Sequence, residues 1–209
     1  MDKRVYGVLG IVSIMSNWNA DFSGYPKTIS DGKVFGSDKA FKYPLKVMWN
    51  EQGEKVLYIK SHTFVGNKNG EKELIPRTLK ERYEYLFDIE DLKKVKDKES
   101  ILTNLFKAID VKNFGATFAE EGNNISITGA VQIGQGFNKY DDTNAEEQQI
   151  LSPFRDPTEK PDKKEAKATT LGTKIVSDEA HYFYPFTINP STYDEFKELG
   201  VTEGYTEED

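Results

Sequence analysis

The sequence predicts an α+β fold from three patterns. Arg4–Met15 is rich in β-branched and aromatic residues, which are typical of strands. Apolar residues recur at helical spacing in two segments between residues 76 and 109. Apolar residues alternate with polar or small ones from Ile125 to Ile133, as in a strand with one exposed face. Both strands and helices are therefore expected, with helices covering a sheet.

The first 50 residues are predicted to form a strand, a long loop and a helix. In Arg4–Met15 the apolar residues occupy both parities, which predicts a central strand covered on both faces. Residues 16–36 are dense in Gly, Asn, Asp and Ser, which predicts a long loop, and long ordered loops are usually functional. Ser37 is a suitable N-cap for a helix over residues 38–50, which Pro44 is expected to start or kink.

The middle of the chain is predicted to hold two helices flanked by strands. Residues 55–65 are predicted to be a second strand that completes a β-loop-α-β unit, and residues 66–75 an exposed hairpin tip or insertion. One amphipathic helix is expected to start at Pro76 and another at about Asp97. After these helices, two strands are predicted to pair across the turn Glu-Glu-Gly-Asn-Asn, at residues 113–119 and 124–133.

The last third of the chain changes in character. Residues 141–173 contain three prolines and a charged run, which predicts a mobile excursion. Residues 181–188 are predicted to be a strand, in which Pro185 indicates an edge position or a bulge. Thr206 is a good N-cap followed by acidic residues, which predicts the start of a helix, with a frayed acidic tail as the alternative.

The composition excludes several kinds of chemistry. The 209-residue chain contains no Cys, which excludes disulfides, thiolate metal sites and thiol nucleophiles. His62 and His181 are far apart in the sequence, so no metal, no cofactor and no His-based catalytic site is predicted. The longest apolar stretch, residues 6–15, is too short to cross a bilayer and lacks signal-peptide features, so a soluble cytoplasmic protein is expected.

The net charge of −7 is unevenly distributed along the chain. Residues 1–60 carry 9 Lys and Arg against 6 Asp and Glu, a balance of +3, and residues 61–140 carry 12 of each. Residues 141–209 carry 7 basic against 17 acidic residues, a balance of −10. Because local potential decides whether a phosphate backbone is attracted, the mildly basic N-terminal part is compatible with a nucleic-acid partner.

The strongest candidate for a functional site is electrostatic. Lys39, Lys42 and Lys46 lie at i, i+3 and i+7 and fall within about 60° of one another on a helix, opposite the expected apolar stripe. Lys27 and Lys33 in the preceding loop extend this basic ridge. The loop also offers backbone amides and three aromatic residues that can hold phosphates and stack on bases, namely Trp18, Phe22 and Tyr25. The alternative is an ordinary solvated helix face.

Two loop carboxylates, Asp21 and Asp31, are candidates for acid–base or metal chemistry. Neither has an activated partner or a ligand cluster in the sequence. Asp residues in such loops more often form Asx turns. A structural role is therefore the favoured interpretation.

Several longer motifs carry a resemblance to a known family. They are NWNADFSGYPKTISDGKVFGSDKAFKYPLK at 17–46, NFGATFA at 113–119, ITGAVQIGQGFNKY at 127–140, LSPFR at 151–155 and HYFYPF at 181–186. In this order they resemble the CRISPR-associated Cas-seven family, the RAMP-superfamily backbone subunit of Cascade, in its type I-B form. The resemblance covers essentially the whole chain.

The resemblance implies a palm similar to a modified RRM, a ferredoxin-like βαββαβ sheet, with inserted finger and thumb segments. Residues 1–65 would form the first half of this RRM-like palm with a guide-binding loop. The other implied segments are a finger or helical insertion at 66–112, palm strands at 113–140, a thumb-like mobile segment at 141–180, and a palm strand with a truncated C-terminal helix start at 181–209.

The resemblance also implies a non-catalytic RNA-binding subunit. Such subunits stack along the crRNA, contact neighbouring backbone subunits and other Cascade subunits, and meet target DNA indirectly through the guide. The residues implied to face the guide are Asn17, Asn19, Lys27, Lys33, Lys39, Lys42, Lys46, Gln132, Gln135, Asn138 and Lys139. In type III relatives a loop Asp cleaves target RNA, whereas type I-B backbones are not nucleases, so Asp21 is expected to be structural.

Family members continue past the equivalent of residues 204–208 with a helix and a strand. The resemblance therefore implies a palm whose second half is incomplete, covered by a separate fragment, a partner subunit or an altered palm. One alternative is a truncated stand-alone homologue, from a phage or prophage, that blocks complex assembly as an anti-CRISPR. A weaker alternative is an RNA-cleaving RAMP protein that uses Asp21 with a divalent metal.

Overall fold

The computed structural model describes residues 1–67, 70–155 and 168–209. The strands are β1 (Val5–Ser16), β2 (Phe35–Gly36), β3 (His62–Gly66), β4 (Lys72–Pro76), β5 (Gly115–Phe118), β6 (Ile125–Thr128), β7 (Val131–Ile133), β8 (Gly136–Asn138), β9 (Ala145–Arg155) and β10 (Ala168–Ile188). The helices are α1 (Asp38–Glu51), α2 (Leu79–Phe87), α3 (Lys98–Lys107), α4 (Ile109–Phe114) and α5 (Asp194–Glu198), with 3-10 helices at Leu92–Lys94 and Pro190–Tyr193. This mixture of helices and antiparallel strand pairs confirms the α+β prediction. Among the described residues, no helix is long and apolar enough to span a bilayer.

The chain divides into two compact units. Unit 1 comprises Met1–Gly7, Phe41–Ile133 and Phe186–Asp209. Unit 2 comprises Val8–Ala40 and Gly134–Pro185. β1, α1 and β10 contribute residues to both units.

The core of unit 1 joins three helices to the β5–β6 hairpin. Tyr83 of α2, Leu105 of α3, Val111 of α4 and Phe118 of β5 are completely buried and belong to one cluster. The Tyr83 and Phe118 rings lie 5.0 Å apart between centroids. The helical spacing of the apolar residues places these side chains on one face of each helix, and burial of that face stabilises the helices.

Two side-chain caps fix where α2 and α3 begin. The Thr78 hydroxyl accepts from the Glu81 backbone N–H at 3.2 Å, while the Glu81 carboxylate accepts from the Thr78 N–H at 2.8 Å. Asp97 accepts from the Glu99 N–H at 3.0 Å, which confirms the predicted start of the second helix. The first helix begins at Leu79 and not at Pro76, because Pro76 is the last residue of β4.

The predicted strand over residues 55–65 is wrong for its first part. Only its last residues form a strand, β3, which pairs with β4 as a hairpin and confirms the hairpin predicted around residues 66–75. Residues 68 and 69 of that prediction lie outside the described residues. Val56 and Leu57 are buried, and side chains of Arg82 and Asp110 bond their backbone at 2.6 and 2.8 Å. The backbone groups of Val56 and Leu57 therefore have hydrogen-bond partners without a neighbouring strand. The expected β-loop-α-β unit is absent at this position.

The sheet of unit 2 is built around β10. This strand pairs antiparallel with β9 and β8, and it also neighbours β1, which lies at the end of the strand order. Alternate side chains of β1 face solvent, with Val8 and Val12 each 63% exposed and Ile14 60% exposed. The prediction that β1 is central and covered on both faces is therefore wrong. Apolar residues on both parities are compatible with an exposed face when no layer packs against it.

Residues 141–180 contain two long paired strands where a mobile excursion was predicted. β9 pairs with the first part of β10, from Ala168↔Arg155 to Ser177↔Ala145. Val176 and Ser177 of β10 are completely buried, which anchors the inner end of this hairpin. Residues 156–167 of the predicted segment lie outside the described residues. The thumb-like role of the segment stays a prediction.

Pro185 marks a bulge and not an edge strand. Between the pairs Phe183↔Phe137 and Phe186↔Ile133, the partner segment contains one residue more than β10, which confirms the second of the two predicted alternatives. Within β10, Tyr182 and Phe183 pair with β8, and the pairing with β7 starts at Phe186. Pro185 lies between these two sets of pairs. The Pro185 carbonyl accepts from the Gly134 N–H at 2.8 Å. The proline thus occupies an interval between two ladders, where its missing N–H removes no ladder bond.

The predicted N-cap at Thr206 makes the bonds of a helix start. Its hydroxyl accepts from the Glu208 N–H at 3.3 Å, and Asp209 accepts from the Thr206 N–H at 2.7 Å. Residues 206–209 are nevertheless not helical. Asp209 also forms an ion pair with Lys112 at 2.8 Å, which ties this segment to unit 1.

Candidate nucleic-acid interface

The long loop before α1 is ordered by its own aspartates. Asp21 Oδ1 accepts from the backbone N–H groups of Ser23 at 2.8 Å and Tyr25 at 3.1 Å. Asp31 Oδ1 accepts from the Lys33 N–H at 3.0 Å. Both aspartates therefore form Asx turns, as the sequence predicts. Among the described residues, no group of three or more His, Asp and Glu side chains is arranged to hold a metal ion.

Two asparagines join the ends of this loop. Asn17 Nδ2 donates to the Gly24 carbonyl at 2.8 Å, and Asn19 Oδ1 accepts from the Ser37 N–H at 2.8 Å. The Ser37 hydroxyl in turn accepts from the Ala40 N–H at 3.2 Å, which confirms Ser37 as the N-cap of α1. Asn17 and Asn19 therefore set the shape of the loop that carries Lys27 and Lys33.

Four of the predicted lysines lie in unit 2 at accessible positions. Lys39 and Lys139 are exposed. Lys27 Nζ lies 5.7 Å from the centre of the Phe35 ring, and Lys139 Nζ lies 5.4 Å from the centre of the Tyr140 ring. Lys33 forms an ion pair with Asp141 at 3.7 Å, with side chains 41% and 87% exposed, and such exposed pairs are worth little. A phosphate group can therefore compete for Lys33.

The ridge predicted along α1 is not a single exposed row. Lys46 is only 16% exposed and pairs with Asp110 at 3.4 Å, while its ammonium donates to the Tyr58 carbonyl at 3.3 Å. Lys42 Nζ lies 5.2 Å from the centre of the Phe114 ring, against which Trp49 also packs at 5.6 Å. Trp49 follows Lys42 by two helical turns, so both reach the same partner in unit 1. The prediction that Lys39, Lys42 and Lys46 form one basic ridge along α1 is therefore wrong, because Lys46 is engaged within the protein.

The amide side chains of the predicted site differ in accessibility. Gln135 is exposed and exchanges two hydrogen bonds with Asp38, each at 3.3 Å. Gln132, in unit 1, is exposed and donates to the Gly129 carbonyl at 2.8 Å. Asn138 is only 2% exposed, which gives it a scaffold role. It donates to Tyr140 and Thr143 and accepts from the His181 N–H.

The loop aromatics named from the sequence have different environments. Phe22 is fully exposed. Trp18 is half-buried, and its Nε1 donates to the Tyr184 hydroxyl at 2.6 Å. The Tyr25 hydroxyl donates to Glu147, and this bond together with the negative charge of Glu147 raises the pKa of the phenol. Of the three, Phe22 is the most available to a ligand.

A set of aromatic residues on the sheet was not found from the sequence. Phe183 of β10 lies directly opposite Phe137 of β8, and Phe137 lies directly opposite Phe35 of β2. These three residues come from separate parts of the chain, and only the strand register aligns them. Alternation alone places Phe137 and Phe183 on strand faces, but it does not indicate which strands are neighbours.

The comparisons with known proteins identify the family. The family model for CRISPR-associated protein Cas7 matches residues 3–209, so the chain belongs to the Cas7 family. Its mixed helices and antiparallel strands agree with the palm-like fold that the resemblance implies. A similar solved structure is a chain of a "CRISPR RNA-guided surveillance complex, pre-nicking". The identity is 15% and the TM-score is 0.49, over 94% of this chain and 68% of that chain. No curated protein sequence matches the chain.

Proposed function

We propose that this chain is a non-catalytic crRNA-binding backbone subunit of a type I-B CRISPR surveillance complex. The observation that carries the proposal is the match of the Cas7 family model to residues 3–209. Neighbouring copies and other subunits of the complex are its proposed protein partners. Target DNA is reached indirectly, through pairing with the guide.

The proposed mode of binding is contact with phosphates without reading the bases. Lys27, Lys33, Lys39 and Lys139 are the proposed phosphate contacts, because all four lie in unit 2 at accessible positions. Asn17 and Asn19 act through the shape of the loop. Lys46 and Asn138 are left out, since their side chains are engaged within the protein. Such contacts release counterions and make affinity depend steeply on salt concentration.

The salt dependence of RNA binding tests this proposal. Fluorescence anisotropy with a labelled crRNA would give the slope of log K against log salt for the wild type and for Lys27→Gln, Lys39→Gln and Lys139→Gln. Each lost phosphate contact is expected to reduce the slope by about 0.7 for a single strand. The matched control is Lys98→Gln, because Lys98 is exposed on α3 in unit 1.

One result would reject the proposed function, and a second would reject the proposed phosphate contacts. If the wild-type chain shows no binding of crRNA at low salt, it is not a guide-binding subunit. Equal slopes for the three variants, the control and the wild type would remove these lysines from the interface. Copurification of crRNA with the chain, together with assembly of several copies on it, is the expected result in cells.

A further inference from the structure

Three phenylalanines form one row on the open face of the unit 2 sheet. Phe35, Phe137 and Phe183 occupy directly opposed positions on β2, β8 and β10. Opposed residues in antiparallel strands have their Cβ atoms about 5 Å apart on the same face. The Phe35 and Phe137 rings lie 6.1 Å apart between centroids. Phe137 is 41% exposed and Phe183 is 45% exposed, so the row is open to solvent.

The core of unit 2 lies on the other face of these strands. Tyr184 is completely buried; its hydroxyl oxygen lies where a Cβ on Gly36 would be, and its ring lies where a Cβ on Gly136 would be. Gly36 and Gly136 are paired across β2 and β8, next to the Phe35–Phe137 pair. Since side chains alternate between faces, the phenylalanines point away from Tyr184. They are not needed to fill the core.

The end of the row at β1 is also open. A Cβ built on Gly10 would meet only Phe183 Cε1, at 3.9 Å. Gly10 therefore lies beside Phe183 on the same face and places no side chain over its ring. A flat ligand has access to Phe183 from this side.

Cations lie beside the row. Lys27 Nζ is 5.7 Å from the centre of the Phe35 ring. Lys139 follows β8 directly, two residues after Phe137, and its N–H donates to the His181 carbonyl at 2.8 Å, so its backbone lies beside the end of the row. A ligand that covers the row can thus place aromatic faces on the rings and negative charge on the lysines.

We propose that Phe35, Phe137 and Phe183 form a stacking platform for unpaired bases of single-stranded RNA. Bases stack on aromatic side chains while lysines follow the backbone, and this combination tolerates any sequence. The positive charges of Lys27 and Lys139 favour RNA as the ligand, because an apolar protein surface would offer them no negative charge. The inference rests on the proposed function, since it assigns how bases of the bound RNA are held.

The test compares two RNAs with the same phosphate backbone. One is a short single-stranded RNA, and the other is the same oligonucleotide with abasic sites. Because Phe137 and Phe183 are each expected to contribute about tenfold, the wild type is expected to bind the base-bearing RNA about a hundredfold more tightly than the abasic RNA. Phe137→Leu and Phe183→Leu keep an apolar side chain but remove the ring, so each is expected to lose about tenfold on the base-bearing RNA only. Phe137→Trp is expected to keep the wild-type affinity.

The matched control is Phe64→Leu, which removes an exposed ring from β3 in unit 1 and leaves the platform intact. It should bind both RNAs as the wild type does. Equal losses on both RNAs for the Leu variants would overturn the platform, as would unchanged RNA binding with a loss of subunit association. Tight binding of both RNAs by the wild type overturns the platform and leaves the proposed function standing, whereas binding of neither rejects both. Circular dichroism melting of each variant separates these outcomes from unfolding.

Discussion

Removal of the Asp110 carboxylate is expected to destabilise unit 1 strongly. Asp110 is 1% exposed. Its Oδ1 accepts from the Leu57 N–H and its Oδ2 from the Tyr58 N–H, each at 2.8 Å, and Lys46 Nζ lies 3.4 Å away. One carboxylate therefore satisfies two backbone donors of an irregular segment and the charge of a largely buried lysine.

The expected cost of Asp110→Ala follows from these contacts. Each unsatisfied buried N–H costs about 1–3 kcal/mol, and breaking a buried ion pair costs about 3–5 kcal/mol. The contacts share one side chain, so their costs are not additive, and we expect a total loss of about 4 kcal/mol. Asp110→Asn keeps one acceptor oxygen and loses the charge, so about half of that loss is expected.

Urea unfolding followed by tryptophan fluorescence measures this loss, since Trp49 packs on Phe114 in the same unit. The matched control is Asp141→Ala, whose carboxylate is 87% exposed in its ion pair. The control is expected to lose less than about 1 kcal/mol. Equal losses for Asp110→Ala and Asp141→Ala would refute the reasoning. Lys46→Met is also expected to be destabilising, with the salt slope of RNA binding unchanged.

Two further predictions concern other buried contacts. Burial and the charge of Asp209 raise the pKa of Tyr205 to about 12 from its ordinary value of 10.0, and its hydroxyl donates to Asn113 at 2.8 Å. Because the folded pKa is the higher one, this contribution to stability is complete below pH 10 and is lost between pH 10 and about 12. Tyr205→Phe should therefore lose less stability than the wild type between these pH values in urea titrations, and identical losses would contradict the assignment. Gly136→Ala would place a Cβ 2.4 Å from the Tyr184 ring, so a loss of about 1–3 kcal/mol is expected, whereas Gly172→Ala meets no atom within 4 Å. Similar melting temperatures for the two alanine variants would disprove the close approach.

Local signals in the sequence predicted most of unit 1. The helices α2 and α3 and the β5–β6 hairpin depend on caps, periodicity and a turn, all of which lie within short segments. The two strands predicted at 113–119 and 124–133 were nevertheless too long, since residues 113 and 114 belong to α4 and residues 131–133 form β7, which pairs with β10. The Asx turns at Asp21 and Asp31 are local for the same reason.

Features that depend on distant partners were not predicted. The strand expected over residues 55–65 failed because Arg82 and Asp110, far along the chain, bond the backbone that a neighbouring strand would otherwise bond. Lys46 was expected on the basic ridge, since its partner Asp110 lies 64 residues later in the printed sequence and no local pattern links the two. The exposed face of β1 could likewise not be predicted, since apolar side chains do not show whether another layer packs against the strand.

The candidate site shows the same division. Lys27, Lys33, Lys39 and Lys139 were found from charge and from the family resemblance, and the structure places them at accessible positions of unit 2. The phenylalanine row was not found, because it exists only after β2, β8 and β10 are set side by side. A prediction of strand pairing would have been needed to reveal it.

The facing glycines at positions 36 and 136 have a consequence for how the chain can change. Because neither glycine has a side chain, the buried Tyr184 packs directly against the backbones of β2 and β8. The side chains on the outer face of those strands therefore do not pack in the core. The outer surface can therefore acquire a different chemical preference by single substitutions, while the architecture underneath is inherited unchanged.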